Sequence, residues 1–82
     1  MSGGAFDYAW RRIADFSEDL KEKIEENPSE FNPLLMARLA LLQMKAAELA
    51  ELAKAAELLY SGDIGEDSFN EAWTEAIQKD RT

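Results

Sequence analysis

The stretch from Gly3 to Arg12 sets a pair of glycines ahead of Phe6, Tyr8 and Trp10 and the adjacent Arg11 and Arg12. Paired glycines leading into a helix expose backbone N–H groups, and such groups bind anions, phosphate among them. On a helix Tyr8, Arg11 and Arg12 lie away from the Phe6 and Ile13 stripe, with Trp10 at its edge. That arrangement is able to stack a base and neutralise phosphates. A purely structural reading of the same residues has Trp10 half-buried in a core and Arg11 held by Asp7 and Asp15. Residue types alone favour this second reading, because such pairs and half-buried aromatics are common on any helix.

A second polar constellation is Ser61-Gly62-Asp63-Ile64-Gly65-Glu66-Asp67. Three carboxylates and two glycines invite a calcium reading, but an EF-hand loop needs alternating oxygen ligands, a glycine sixth and a glutamate twelfth, and this register is missing. Turn and capping chemistry ranks first, with Asp63 and Asp67 bonding backbone N–H groups. Below it ranks a role for Asp63, Glu66 or Asp67 in accepting hydrogen bonds from ribose hydroxyls or base amino groups in a site shared with another chain. Glu18, Asp19, Glu22, Glu25, Glu26 and Glu30 form an acidic set; it reads as a solubilising face, with imitation of DNA phosphates as the sharper alternative.

The chain has no histidine and no cysteine. Ser-His relays, cysteine nucleophiles, imidazole zinc sites and disulfides are therefore excluded, and no carboxylate pair sits in an expected apolar pocket. We expect no catalytic residues, no metal site and no cofactor, hence not an enzyme. Seventeen acidic residues against nine basic ones give a net charge of -8. Direct binding to nucleic acid or to an anionic membrane is disfavoured, and any ionic role needs a basic partner or a locally basic pocket.

These residues need a scaffold. With 46% hydrophobic and 32% charged residues, the 82-residue chain is too apolar for disorder and is expected to form a single helical domain over 1–82. Phe6, Ala9, Ile13, Phe16, Leu20 and Ile24 recur at three- and four-residue steps, predicting a helix over about 5–26 that stops at Asn27-Pro28. Asn32-Pro33 carries a capping side chain and a proline suited to the first helical position, opening a helix over 33–60 that Gly62 closes. This helix would be about 40 Å long. Its main stripe is Leu35, Leu39, Leu42, Ala46, Leu49, Ala53, Ala56 and Tyr60. A second stripe, Leu34, Leu41, Leu52, Ala55 and Leu59, adds more apolar surface than one antiparallel neighbour covers, so the helix should be central and touched from two sides. A third helix is expected over about 68–79, capped by Asp67 or Ser68. The expected fold is all-α: an antiparallel hairpin of two long helices plus a short C-terminal helix, packed in a homo-oligomer through Leu34, Leu41, Leu52 and Leu59. No secretory signal or membrane-spanning run is visible, which predicts a cytoplasmic protein without membrane contact.

Taken together, Ser2-Gly3-Gly4-Ala5-Phe6-Asp7-Tyr8 and Ser61-Gly62-Asp63-Ile64-Gly65-Glu66-Asp67-Ser68 resemble a group of short uncharacterised phage and prophage proteins. In that group a Gly-Gly-x-Phe-x-Tyr opening is joined through helices to an aromatic residue and Ser-Gly-Asp-x-Gly-Glu-Asp. Its members often carry tryptophans before the second motif; here Leu58-Leu59-Tyr60 stands there, so a stacking role falls on Tyr60. The resemblance implies a small accessory protein acting against host defence in the cytoplasm of an infected bacterium. Its expected partners are itself and either a cyclic nucleotide-type signal, which it sequesters, or a basic host protein, which its acidic face blocks. A structural part in a phage particle is the plainest alternative. The ligand residues implied are Gly3, Gly4, Tyr8, Trp10, Arg11, Arg12, Tyr60, Asp63, Glu66 and Asp67.

Overall fold

The computed structural model describes residues 5–81, with side chains described for 5–78. The described residues form three helices and no strand: α1 (Ala9–Glu26), α2 (Pro33–Tyr60) and α3 (Glu66–Arg81). The punctuation of α2 follows its sequence signals. Asn32 Oδ1 accepts from the Leu35 N–H at 2.8 Å with Pro33 at the first position. Gly62 takes a left-handed φ of 82°, and the Asp63 N–H turns back to the Leu58 carbonyl at 2.9 Å.

Two helix starts differ from expectation. α1 begins at Ala9 rather than near Ala5, because Asp7 and Tyr8 adopt left-handed φ values of 53° and 56° and break the helical path. Aspartate tolerates that region, but for a bulky tyrosine it is strained, which requires something nearby to hold the turn. α3 begins at Glu66 and continues to Arg81, beyond the 68–79 expected. Asp67 and Ser68 therefore stand inside its first turn, not at its cap, and the Gly65 carbonyl accepts from the Phe69 N–H at 3.0 Å. Carboxylates in the first turn complement the positive end of the helix dipole, so Glu66 and Asp67 extend the helix backwards.

α1 and α3 each pack on α2 and make no contact with one another. The centre of the molecule is therefore a pair of seams rather than a three-sided core, and the Cα trace is thin and long, 45 × 26 × 13 Å. What is buried is small: Ala46, Ala50, Ala55 and Ala76, with Ser17 and Glu57. On a helix of 3.6 residues per turn, positions 43, 47, 50, 54, 57 and 61 share one line, and α1 rests there. Ser17 marks the middle of that seam, donating to the Gln43 carbonyl at 3.2 Å and accepting from Gln43 Nε2 at 2.9 Å. Of the main stripe, Ala46 is buried, Leu42 and Leu49 remain exposed at the rim of the seam beside Ile13 and Phe16, and Tyr60 is 76% exposed. Alanines let the two backbones approach, whereas a line of leucines would hold them apart. Of the second stripe, Leu34 and Leu41 are exposed, and Leu52 and Leu59 are half-buried. Among the described residues no helix is long and apolar enough to cross a membrane.

Candidate functional site

The strained turn before α1 is held by α2. Tyr8 caps α1 without a side-chain hydrogen bond of its own. Its N–H donates instead to Glu57 Oε2 at 2.8 Å, the Phe6 N–H donates to the same oxygen at 3.1 Å, and the Ala5 N–H donates to Ser61 Oγ at 3.1 Å. Glu57 is 1% exposed, and its second oxygen has no partner among the described residues. A buried carboxylate set against the open N–H groups at a helix start gains both hydrogen bonds and the favourable end of the dipole. Phe6 completes the clasp, meeting the Tyr60 ring edge-on at 5.6 Å between centroids.

This arrangement changes the role of the opening motif. The backbone N–H groups of Phe6 and Tyr8, which sequence reasoning would give to a phosphate, already hold an anion that belongs to the chain. Gly3 and Gly4 lie outside the described residues. The clasp does bring the two motifs together, since Ala5 and Phe6 touch Ser61, Glu57 and Tyr60. Asp63, Glu66 and Asp67 are exposed in the following loop and the first turn of α3.

Beside the clasp, aromatic and cationic groups gather at one corner. The Arg11 guanidinium lies 4.9 Å from the Tyr8 ring centroid and 5.5 Å from that of Trp10, and Lys54 Nζ lies 5.1 Å from the Trp10 centroid. Two cations thus share one indole, an attraction worth about 0.5–1 kcal/mol each at exposed positions. Arg12 does not join them. One residue further round α1, it lines a different groove with Ile13, Phe16, Leu42 and Leu49. A groove of about 240 Å³ runs from Trp10 past Ser17, Glu18, Ala47 and Glu51 to Lys54. Across Lys54 lies a second, of about 340 Å³, reaching Leu58, Ile64 and Ala72. Lys54 and Glu51 wall both.

Glu57, Ser61 and Lys54 are the site residues that reading the sequence missed. A signal was present: with Gln43, they are the polar members of the 43, 47, 50, 54, 57, 61 line, and a polar residue on a packed line needs a partner. Among the described residues no group of three or more acidic residues is placed to hold a metal ion. Comparison of the chain with family models, with curated proteins and with solved structures gives no match.

Proposed function

We propose that the protein is a non-enzymatic binder that sequesters a nucleotide-derived signal, as a phage accessory protein acting in the cytoplasm of an infected bacterium. One observation carries the reading: Tyr8, Trp10, Arg11 and Lys54 form a cluster of rings and cations in a chain whose net charge is -8. Rings accept a base by stacking, and the cations accept phosphate. In this reading Asp63, Glu66 and Asp67 accept hydrogen bonds from ribose hydroxyls, Tyr60 supplies a further stacking surface, and Arg12 takes no part.

The reading includes an antiparallel pairing of α1 and α2. Its support is the order of the cross-links, Phe6 with Glu57 and Ser17 with Gln43, so that residue numbers rise in one helix as they fall in the other. It also includes self-association through Leu34, Leu41, Leu52 and Leu59. The accessible surface is 6162 Å², against about 4,900 Å² expected of a compact monomer of this mass. An excess of about 1,200 Å² exceeds the roughly 800 Å² that one partner contributes to a stable interface.

Titration calorimetry with a panel of cyclic dinucleotides and cyclic ADP-ribose isomers tests the binding. Heat is expected with at least one member, and Arg11→Ala or Lys54→Ala should weaken that ligand roughly tenfold to a hundredfold. Heat with none of them, under conditions where the chain is helical, refutes the reading. The rival, inhibition of a basic host protein, draws on the exposure of Glu18, Asp19, Glu22, Glu25 and Glu26 along α1. Replacing Glu22, Glu25 and Glu26 together by Gln should leave sequestration intact; loss of activity in a defence assay with the helices unchanged would favour the rival.

A further inference from the structure

Of the four members of the ring and cation cluster, Trp10 and Arg11 stand on α1 and Lys54 on α2, so the seam between these helices sets where they lie. Tyr8 is the exception. It precedes α1, and the direction in which its ring leaves the backbone follows from φ and ψ of 56° and 36°, outside the right-handed helical region. Had the helix run on through residues 7 and 8, as the periodicity predicts, that ring would leave in another direction. Asp7 and Tyr8 are both left-handed and strained. Their neighbours' hydrogen bonds, Ala9 N–H to the Phe6 carbonyl at 3.1 Å and Arg11 N–H to the Tyr8 carbonyl at 2.9 Å, tie the turn only to α1. What ties it to α2 is Glu57, Tyr60 and Ser61, the last turn of that helix and its cap.

This tether is balanced between opposing terms. Glu57 gains two hydrogen bonds at Oε2, yet the same docking buries its carboxylate with Oε1 lacking a partner among the described residues. Opening would return both oxygens to water, so the desolvation of a buried charge opposes the bonds that close the turn. Phe6 and Tyr60 both remain exposed and add little apolar burial to the closed side. A short segment with one buried polar anchor opens locally without the rest of the fold.

We infer that residues 5–8 are a strap whose docking on Glu57 assembles the cluster, and that Glu57 is a positioning residue for it. Among the described residues its hydrogen bonds reach two backbone N–H groups and no cluster side chain. Closed, the strap sets the Tyr8 ring 4.9 Å from the Arg11 guanidinium, which then lies against two rings. Open, Arg11 and Lys54 keep Trp10 alone. A ligand that stacks on Tyr8 while Arg11 holds its phosphate binds the closed form in preference, so binding closes the strap and closing strengthens binding by the same factor. The ligand rests on the proposed function; the assembly of the cluster by the strap does not.

Proton NMR of the ligand-free chain tests the strap through ring-current shifts, since the Arg11 side chain senses both rings and Lys54 senses Trp10. Asp7→Pro cannot adopt the φ of 53° and opens the strap with Glu57 and all four cluster side chains in place. Glu57→Gln weakens the anchor from the other side. In both variants the upfield shift of the Arg11 protons should fall to the level seen in Tyr8→Ala, and that of Lys54 should stay. Asp7→Gly, which suits a positive φ, should keep both shifts. An Arg11 shift that survives Asp7→Pro, or is lost equally in Asp7→Gly, overturns the inference. So does a Lys54 shift lost along with it, which would make the turn a support of the whole seam. For any cyclic dinucleotide or cyclic ADP-ribose isomer that binds the unaltered chain, Asp7→Pro should weaken binding about tenfold or more, and equal affinity overturns the coupling. Heat with none of these ligands refutes the proposed function alone, and the ligand-free shifts then decide the strap.

Discussion

The two flanks of α2 are built on opposite rules. Towards α1 the helix presents Gln43, Ala46, Ala47, Ala50, Glu57 and Ser61, small or polar residues, and there it is closed, with Ala50 at 5% and Glu57 at 1% exposure. On the far side it presents Leu34 and Leu41, and there it is open, as it is at the rim of the seam where Leu42 and Leu49 stand beside Ile13 and Phe16. The side chains with the most to gain from leaving water are the ones left in it. Close backbone approach and satisfied polar groups hold the chain together, and the large apolar surface is left for a partner. A helix apolar on nearly every face is a buried helix, and α2 meets that condition only when something covers its leucines.

Substitutions can break this contrast in order of expected effect. Ala50→Leu overfills the closed flank and should cost about 3 kcal/mol, read as a lower urea midpoint at unchanged slope. Glu57→Gln keeps the shape of the clasp and removes its charge; it should cost about 2 kcal/mol and release the turn before α1, seen as faster hydrogen exchange at the Phe6 and Tyr8 amides. Ser17→Ala, which takes one member from the Ser17–Gln43 pair, should cost about 1 kcal/mol. On the open flank Leu34→Gln should change the stability of the dilute chain by less than about 0.5 kcal/mol and act on self-association instead. A stability loss for Leu34→Gln as large as that for Ala50→Leu would erase the distinction between the flanks.

Some of this was legible in the residues. Asn32-Pro33, Asn27-Pro28 and Gly62 act through their own side chains or backbone freedom, so the bounds of α2 and the end of α1 can be read locally. The three- and four-residue spacing along α1 is likewise a local property, but of that stripe Ile13, Leu20 and Ile24 are half-buried while Phe6, Ala9 and Phe16 stay exposed, and Ser17 is the buried residue of α1. The start of α1 was not legible, because the left-handed Asp7 and Tyr8 persist only through a carboxylate nearly fifty residues away. The same is true of the split between Arg11 and Arg12. Neighbours in sequence, they stand about 100° apart on a helix, and which of them meets Trp10 depends on where α2 lies.

By itself, then, the sequence determined the helical class, three of the helix ends and the central place of α2, since each follows from local propensity, capping and the total apolar surface a helix carries. Tertiary structure alone decided which flank of α2 takes α1. The leucines offered more area, but the alanine line allowed the closer approach and gave Ser17, Gln43 and the N–H groups of the opening turn their hydrogen-bond partners. Buried polar groups without partners cost more than exposed leucines do, and that inequality is visible only once both helices are in place.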